Sequence, residues 1–203
     1  MQKINFNDRY GLTQAVIEGR KTMTRRLIPD EFFGLTWDTR GDTLVYENEY
    51  GDFIDVRHSK YTRYKVGEVV AVAQRYEDVE ELSYLLRDPF SETYFEEINI
   101  GDEPGYRNKL FVRAELMPHR IRITGIKCER LQDISDEDCI KEGLEWQHRA
   151  NMFYVNPNIT NNSREWLGGT PREAFATLID KVSGRGTWAS NPWVVVYEFE
   201  LVK

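Results

Sequence analysis

Hydrophobic positions along the chain follow two periods, that of an amphipathic helix and that of a strand. Leu12, Ala15 and Val16 recur at helical spacing and are followed by Gly19, a residue suited to the left-handed end of a helix. Alternating or continuous apolar runs predict strands from about 22, over 69–73, over 110–114, over 120–128 and over 193–201. In the fourth run a bulge is expected at Gly125, where the alternation changes phase. The two periods together predict a mixed α+β chain.

Two more helices have recognisable start signals. Ser135 stands three residues before an acid, as in a capping box, and Gly143 ends that helix. Thr170 followed by Pro171 and, two positions later, Glu173 is a strong helix start. This second helix is interpreted as scaffold.

The chain of 203 residues is interpreted as a single domain, 1–203, with insertions at about 29–63 and 76–109. In the first insertion, 37–56 predicts a hairpin or a small meander. In the second, 76–103 contains ten acidic residues against the single base Arg87, a charge of -9, so the rest of the chain carries +2 of the net -7. A short helix is predicted over 79–86, in a solvated lid or flank, and a loop over 156–163.

Composition excludes several classes of protein. The sequence contains no run of 18 apolar residues and begins without an apolar signal region, so we expect a cytoplasmic protein with no membrane partner. Cys128 and Cys139 are too few for a disulfide scaffold. The three histidines, at 58, 119 and 148, lack the spacing of metal ligands, so no metal and no cofactor is predicted.

The stretch 19–26, GRKTMTRR, concentrates four cations in eight residues of an acidic chain. In a strand starting near Thr22, the side chains of Thr22, Thr24 and Arg26 would share one face. Lys21 precedes the strand and would lie near Thr24. A lysine whose pKa is lowered from about 10.4 by burial and by neighbouring cations can activate a hydroxyl nucleophile. The alternative is a basic strand edge without chemistry.

Other polar and aromatic residues are further candidates. Glu142 is expected to end the helix that starts at Ser135, where the helix dipole disfavours a charged carboxylate and suits a proton donor. On position alone, a solvated glutamate without chemistry is the alternative. Arg120 projects from a strand and could meet a phosphate, although a solvated strand face is an alternative. Trp188 and Trp193 could stack on a base or could cap the core.

Four blocks of the sequence, in this order, resemble the ASCH domain family. They are GRKTMTRR at 19–26, YKVGEVVAV at 64–72, ERLQDI at 129–134 and NPWVVV at 191–196. The chain is similar in length to the longer members encoded by phages and bacterial mobile elements. The resemblance implies a PUA-like β-barrel with flanking helices.

One branch of that family consists of small amidohydrolases that remove the acetyl group from N4-acetylcytidine. By resemblance, Lys21 would be the proton acceptor, Thr24 the nucleophile and Glu142 the proton donor, with Glu145 as the second choice of donor. Position 25 departs from the family pattern because it is Arg25, and this chain is about twice as long.

Two hypotheses follow from the sequence. The first is an amidohydrolase for an N4-acylated cytosine nucleoside or a related base, with a backbone N–H or Arg26 stabilising the oxyanion. The second is a module that binds single-stranded RNA, or DNA, without catalysis. For either one, the expected substrate-binding residues are Arg20, Thr22, Arg25, Arg26, Arg120, Trp188 and Trp193.

Overall fold

The computed structural model describes residues 1–29, 36–38, 43–79, 103–158 and 163–202. The strands are β1 (Lys3–Ile4), β2 (Met23–Leu27), β3 (Thr36–Asp38), β4 (Thr43–Glu47), β5 (Phe53–Asp55), β6 (Val69–Val72), β7 (Arg120–Arg130), β8 (Glu145–Gln147), β9 (Met152–Asn158), β10 (Ser163–Gly168) and β11 (Trp193–Val202). The α-helices are α1 (Leu12–Ile17), α2 (Asp136–Lys141), α3 (Pro171–Ser183) and α4 (Thr187–Ser190). Short 3-10 helices cover Asp8–Tyr10, Val56–His58, Tyr76–Asp78, Pro104–Tyr106, Lys109–Phe111, Ala114–Leu116 and Leu131–Asp133. The predicted α+β class is confirmed.

A five-stranded sheet forms the centre of the structure, in the order β1-β6-β7-β11-β2. Only β1 and β6 are parallel, and the other neighbours pair in antiparallel register. The strands β1 and β2 are the edges of this sheet, and within the described ranges no hydrogen-bonded ladder joins them.

The longest ladder joins β7 to β11 and contains the predicted bulge. Glu198 pairs with Gly125, but the next residue, Phe199, pairs with Ile123, so β7 has one extra residue at this point. A Cβ atom at Gly125 would lie 3.0 Å from Oε2 of Glu198, which explains why glycine suits the position.

Two smaller sheets flank the central one. The strands β3, β4 and β5 form an antiparallel meander, as predicted for 37–56. The strands β8, β9 and β10 form a second meander. The loop predicted over 156–163 is partly wrong, because β9 continues to Asn158 and β10 starts at Ser163. A helix was predicted over 79–86, and all of this range except residue 79 lies outside the described residues.

The strand predicted over 110–114 is wrong. This segment instead contains part of the 3-10 helix Lys109–Phe111 and the start of the next one. The side chain of Asn108 accepts a hydrogen bond from the backbone N–H of Leu110, a local turn that competes with extended backbone. Apolar residues alone did not reveal this capping contact.

The helices close the core around the central sheet. Both the capping box at Thr170 and the proline at the first helical position are confirmed in α3. Phe175 and Leu178 of α3 are buried in the same hydrophobic cluster as Val194 and Val196 of β11. Within the ranges given above, none of the helices has the length and hydrophobicity needed to cross a membrane.

Candidate active site

A cavity of about 320 Å³ lies between the N-terminal segment, β2, the end of α2 and α3. This volume is at the small end of the range typical of sites for small molecules. The polar residues that line it include Lys21, Thr24, Arg25, Arg26 and Glu142. Its apolar wall is formed mainly by Phe6, Leu12, Phe175, Leu178, Ile179 and Val182.

Backbone contacts hold Lys21 beside the end of α2. After α1, Gly19 adopts a left-handed φ of 74°, as predicted, and the N–H of Lys21 donates to the carbonyl of Ala15 at 2.9 Å. The N–H of Thr22 then donates to the carbonyl of Lys141, in the last turn of α2, at 3.0 Å. The turn before β2 is therefore fastened to two helices, one on each side of Lys21.

Gly143 allows the close approach of these two segments. It follows Glu142 directly and has a φ of 100°, which L side chains rarely adopt. A Cβ atom at this position would lie 3.4 Å from the Cβ atoms of both Ala15 and Lys21. The helix can therefore end against Lys21 with little space between them.

Lys21 and Glu142 form a buried pair. Nζ of Lys21 lies 2.5 Å from Oε2 of Glu142 and also donates to the main-chain carbonyl of Glu142 at 2.9 Å. The two residues are only 2% and 5% exposed, so solvent screens this contact little. The short distance between Nζ and Oε2 is within the range over which a proton can be transferred.

Arg25 connects Glu142 to a larger network of charges. Its Nη1 donates to Oε1 of Glu142 at 2.9 Å, and its Nε and Nη2 both donate to Oε1 of Glu129, at 2.9 and 2.7 Å. Nη2 also lies 3.3 Å from Oδ2 of Asp138. The guanidinium thus contacts three carboxylates, so its charge is neutralised and its donors are largely occupied.

Thr24 presents an uncommitted hydroxyl to the cavity. The residue is 6% exposed and lies opposite Tyr197 in the β2–β11 ladder. Its hydroxyl makes no hydrogen bond to any residue in the described part of the chain, including Lys21. Catalytic contacts of this kind often form only when substrate binds. The hydroxyl is therefore available to a ligand without breaking an internal contact.

The environment of Lys21 favours its neutral form. Burial lowers the pKa of Lys21 from its ordinary value of 10.5, and the charges of Arg26 and Arg25 lower it further, although Glu142 opposes this change. A lowered pKa was the condition for lysine to act as a base. The cation–π contacts of Lys21 and Arg26 with the ring of Phe6, at 5.9 and 5.8 Å, keep both cations on one wall of the cavity.

The structure separates the predicted site residues into two groups. Lys21, Thr24, Arg25, Arg26 and Glu142 line the one cavity, whereas Arg20, Thr22, Arg120, Glu145, Trp188 and Trp193 do not. Ion pairs hold Arg20 to Glu18 and Glu145, at 2.6 and 3.1 Å.

The two tryptophans are engaged elsewhere. The ring of Trp188 packs edge-on against Phe175, with Arg172 over its face at 5.2 Å. Arg130 lies over the face of Trp193 at 4.3 Å. The faces predicted to stack on a base are therefore each covered by an arginine. Arg120 is exposed on β7.

Sequence reasoning missed the apolar wall and the N-terminal segment. The helix α3, interpreted as scaffold, contributes Leu178, Ile179 and Val182 to the cavity. Phe6 and Asn5 come from the segment after β1 and also line it. The apolar stripe of α3 was visible in the sequence, but nothing in the spacing indicated that one end of it faces a cavity.

Two further observations concern the cysteines and the possible metal ligands. Burial raises the pKa of both Cys128 and Cys139 to about 12, which disfavours the reactive thiolate. In the part of the chain that the structure describes, no three His, Cys, Asp or Glu residues are grouped so as to hold a metal ion.

Known proteins offer no direct guide to this site. No model of a protein family, no curated protein and no solved structure matches the chain at a significant level. The chemistry of the cavity therefore follows from its own residues.

Proposed function

We propose that the protein is an amidohydrolase that removes an acyl group from the exocyclic N4 amide of a cytosine nucleoside or a related modified base. The observation that carries the proposal is the convergence of Lys21, Thr24 and Glu142 on one cavity, with Lys21 and Glu142 in direct contact. Glu142 is distant in sequence from Lys21 and Thr24, and the three residues would be the acid, base and nucleophile that the reaction requires.

The proposal includes membership of the ASCH family and a PUA-like fold. The four sequence blocks that resemble the family support it. All four contribute to one sheet, because 23–26 lies in β2, 69–72 in β6, 129–130 at the end of β7 and 193–196 in β11.

With one proton between them, Lys21 and Glu142 can provide both the base and the acid of the reaction. In its neutral form, with an uncharged amine and a protonated carboxyl, Nζ of Lys21 accepts the proton of the Thr24 hydroxyl as Oγ1 attacks the acyl carbon. Glu142 then gives its proton to the departing N4 nitrogen as the carbon–nitrogen bond breaks. This step leaves acyl-Thr24, the free amine product, and Lys21 and Glu142 as an ion pair.

Water completes the cycle. Transfer of the proton from Lys21 to Glu142, over the 2.5 Å contact, restores the neutral pair. Lys21 then accepts a proton from water as the water oxygen attacks the acyl carbon. It returns that proton to Oγ1 of Thr24 as the acyl–oxygen bond breaks, which releases the acid and restores the hydroxyl. Arg25 keeps the Glu142 carboxyl in place throughout, because it holds Oε1 while Oε2 faces Lys21.

A direct assay tests the proposal. Purified protein is incubated with N4-acetylcytidine, and the release of cytidine and acetate is followed by chromatography. We expect catalytic release well above the rate without protein. Absence of release from folded protein, over a panel of N4-acyl cytidines, would contradict the enzymatic proposal.

Non-catalytic binding of nucleic acid is the second candidate function. A binder that contacts several phosphates loses affinity steeply as salt rises, whereas hydrolysis of an uncharged nucleoside responds little to salt. Measuring both quantities between low and high salt therefore separates the two functions.

The pH dependence of hydrolysis should reveal the shared proton of Lys21 and Glu142. With two protons on the pair, Lys21 is charged and cannot act as base, and with none, Glu142 cannot act as acid. Only the pair with one proton is active, so kcat/KM should be bell-shaped in pH. Since the pKa of Lys21 is lowered from 10.5, the loss of activity on the alkaline side should have its midpoint below pH 10.5. A rate that keeps rising past that pH would contradict the pair as acid and base.

A further inference from the structure

A second cavity, of about 220 Å³, adjoins the first. It is lined by Asn5, Arg26, Tyr61, Arg63, Tyr64 and Tyr197. Asn5 and Arg26 line both cavities, so they form the boundary between them. A ligand in the first cavity that extends past these two residues enters the second.

The two arginines of the second cavity lack carboxylate partners. No carboxylate in the described ranges lies within 4.0 Å of the guanidinium of Arg26 or Arg63, although each makes a hydrogen bond to a neutral oxygen. Desolvation lowers the pKa of Arg26, and the charge of Arg63 adds a smaller lowering effect, whereas Tyr64, Glu142 and Tyr197 oppose this change. Arg25, the neighbour of Arg26 in sequence, has three carboxylates. The charges of Arg26 and Arg63 at the second cavity are therefore not neutralised by a carboxylate of the described residues, whereas carboxylates neutralise the charge of Arg25 beside the first cavity.

The tyrosines make this cavity a preformed site. The hydroxyl of Tyr197 accepts a hydrogen bond from the backbone N–H of Arg63 at 2.9 Å, and Tyr64 donates to the carbonyl of Lys3 at 2.9 Å. The rings of Tyr64 and Tyr197 meet edge to face at 5.3 Å. The backbone that carries Arg63 is thus fixed, while its exposed side chain faces the cavity.

Asn5 provides an open polar group at the boundary. Its amide oxygen Oδ1 is buried and has no hydrogen-bond partner. A buried acceptor without a partner costs stability, so a donor on a bound ligand would stabilise this side chain. A ribose hydroxyl is such a donor.

We infer that the second cavity binds a phosphate group attached to the sugar of the nucleoside, so that the preferred ligand is a nucleotide. This inference rests on the proposed function. The base lies in the first cavity, the ribose meets Asn5 at the boundary, and the phosphate lies between Arg26 and Arg63. The order of base, sugar and phosphate along a nucleotide matches the order of the first cavity, the boundary residues and the second cavity.

The segment that carries Arg63 contains further basic residues. Residues 57–65, RHSKYTRYK, contain four lysines and arginines, one histidine and no acid. A third cavity, of about 650 Å³, is lined by Arg57, His58 and Lys65 from this segment, among others. Asp55 pairs with Arg57 at 2.7 Å, so Lys65 is the cation of this cavity that a second nucleotide would meet.

Binding of cytidine, cytidine 5′-monophosphate and the dinucleoside monophosphate CpC, measured by calorimetry at low salt, tests the inference. We expect the monophosphate to bind about ten-fold or more tightly than cytidine, because charge-assisted contacts to a phosphate are strong. In Arg63→Gln, this ratio should fall to about two-fold or less. The control Arg149→Gln removes the same charge from an exposed turn between β8 and β9 and should keep the ratio.

The outcomes separate this inference from the proposed hydrolysis. If the monophosphate binds no more tightly than cytidine, or if Arg63→Gln keeps the ratio, the inference is overturned even where hydrolysis is observed. If the ratio behaves as expected but N4-acetylcytidine is not cleaved, the phosphate site stands and the amidohydrolase fails. Comparison of CpC with the monophosphate identifies whether a phosphodiester or a terminal phosphate is the source of the group.

Discussion

Replacing Thr24 with valine should reduce the release of cytidine from N4-acetylcytidine by about 10³-fold or more, with the protein still folded. Valine keeps the branched shape of threonine and removes only the hydroxyl, which is the proposed nucleophile. Because that hydroxyl makes no hydrogen bond within the described part of the chain, its removal leaves no internal partner unsatisfied. The measurements are kcat at saturating substrate and kcat/KM at subsaturating substrate, with circular dichroism to confirm folding.

Thr22→Val is the matched control for this change. Thr22 precedes β2, two positions from Thr24, and does not line the cavity. We expect it to retain activity within a few-fold of the original protein. If Thr24→Val retains activity while the protein stays folded, then Thr24 is not the nucleophile, and direct attack by a water molecule activated by Lys21 takes its place.

The second large effect should be on stability, in Arg25→Met. Methionine fills a similar volume but leaves Oε1 of Glu142 and Oε1 of Glu129 without their donors in a buried site. Breaking a buried ion pair from one side costs about 3 to 5 kcal/mol, and here the carboxylates would keep only their lysine contacts, Glu142 with Lys21 and Glu129 with Lys127. We therefore expect the free energy of unfolding in urea to fall by about 3 kcal/mol or more.

Arg122→Met serves as the control for the loss of an arginine from a strand. The side chain of Arg122 is half exposed and lies 3.9 Å from Oε1 of Glu200, so its loss should change stability by less than about 1 kcal/mol. A similarly small change in Arg25→Met would mean that water or the lysines Lys127 and Lys141, which also contact this cluster, compensate the carboxylates fully.

The adjacent residues Arg25 and Arg26 have different surroundings because they lie on opposite faces of one strand. They point to opposite faces of β2, as the period of two requires. Arg25 contacts Met23 and the carboxylates near α2, whereas Arg26 lies over Phe6 and at the boundary of the two cavities. The sequence grouped both as cations for binding substrate, but the structure gives Arg25 a positioning role toward Glu142.

Local features of the chain could be predicted because their causes are local. The cap at Thr170, the left-handed Gly19, the bulge at Gly125 and the meander over 37–56 depend on a few neighbouring residues and on alternation. Where a side chain overrode the apolar pattern, as Asn108 does before the 3-10 helix Lys109–Phe111, prediction of a strand failed.

The sequence by itself determined the α+β class and the positions of most elements described. It also pointed to Lys21 and Thr24, because both lie within one short basic stretch. The direct contact between Lys21 and Glu142, the ion pairs of Arg25 and the second cavity at Arg63 were decided only by the tertiary structure. These features join residues more than 30 positions apart, and burial, distance and the pairing of charges among such residues follow from packing and have no signature in local sequence.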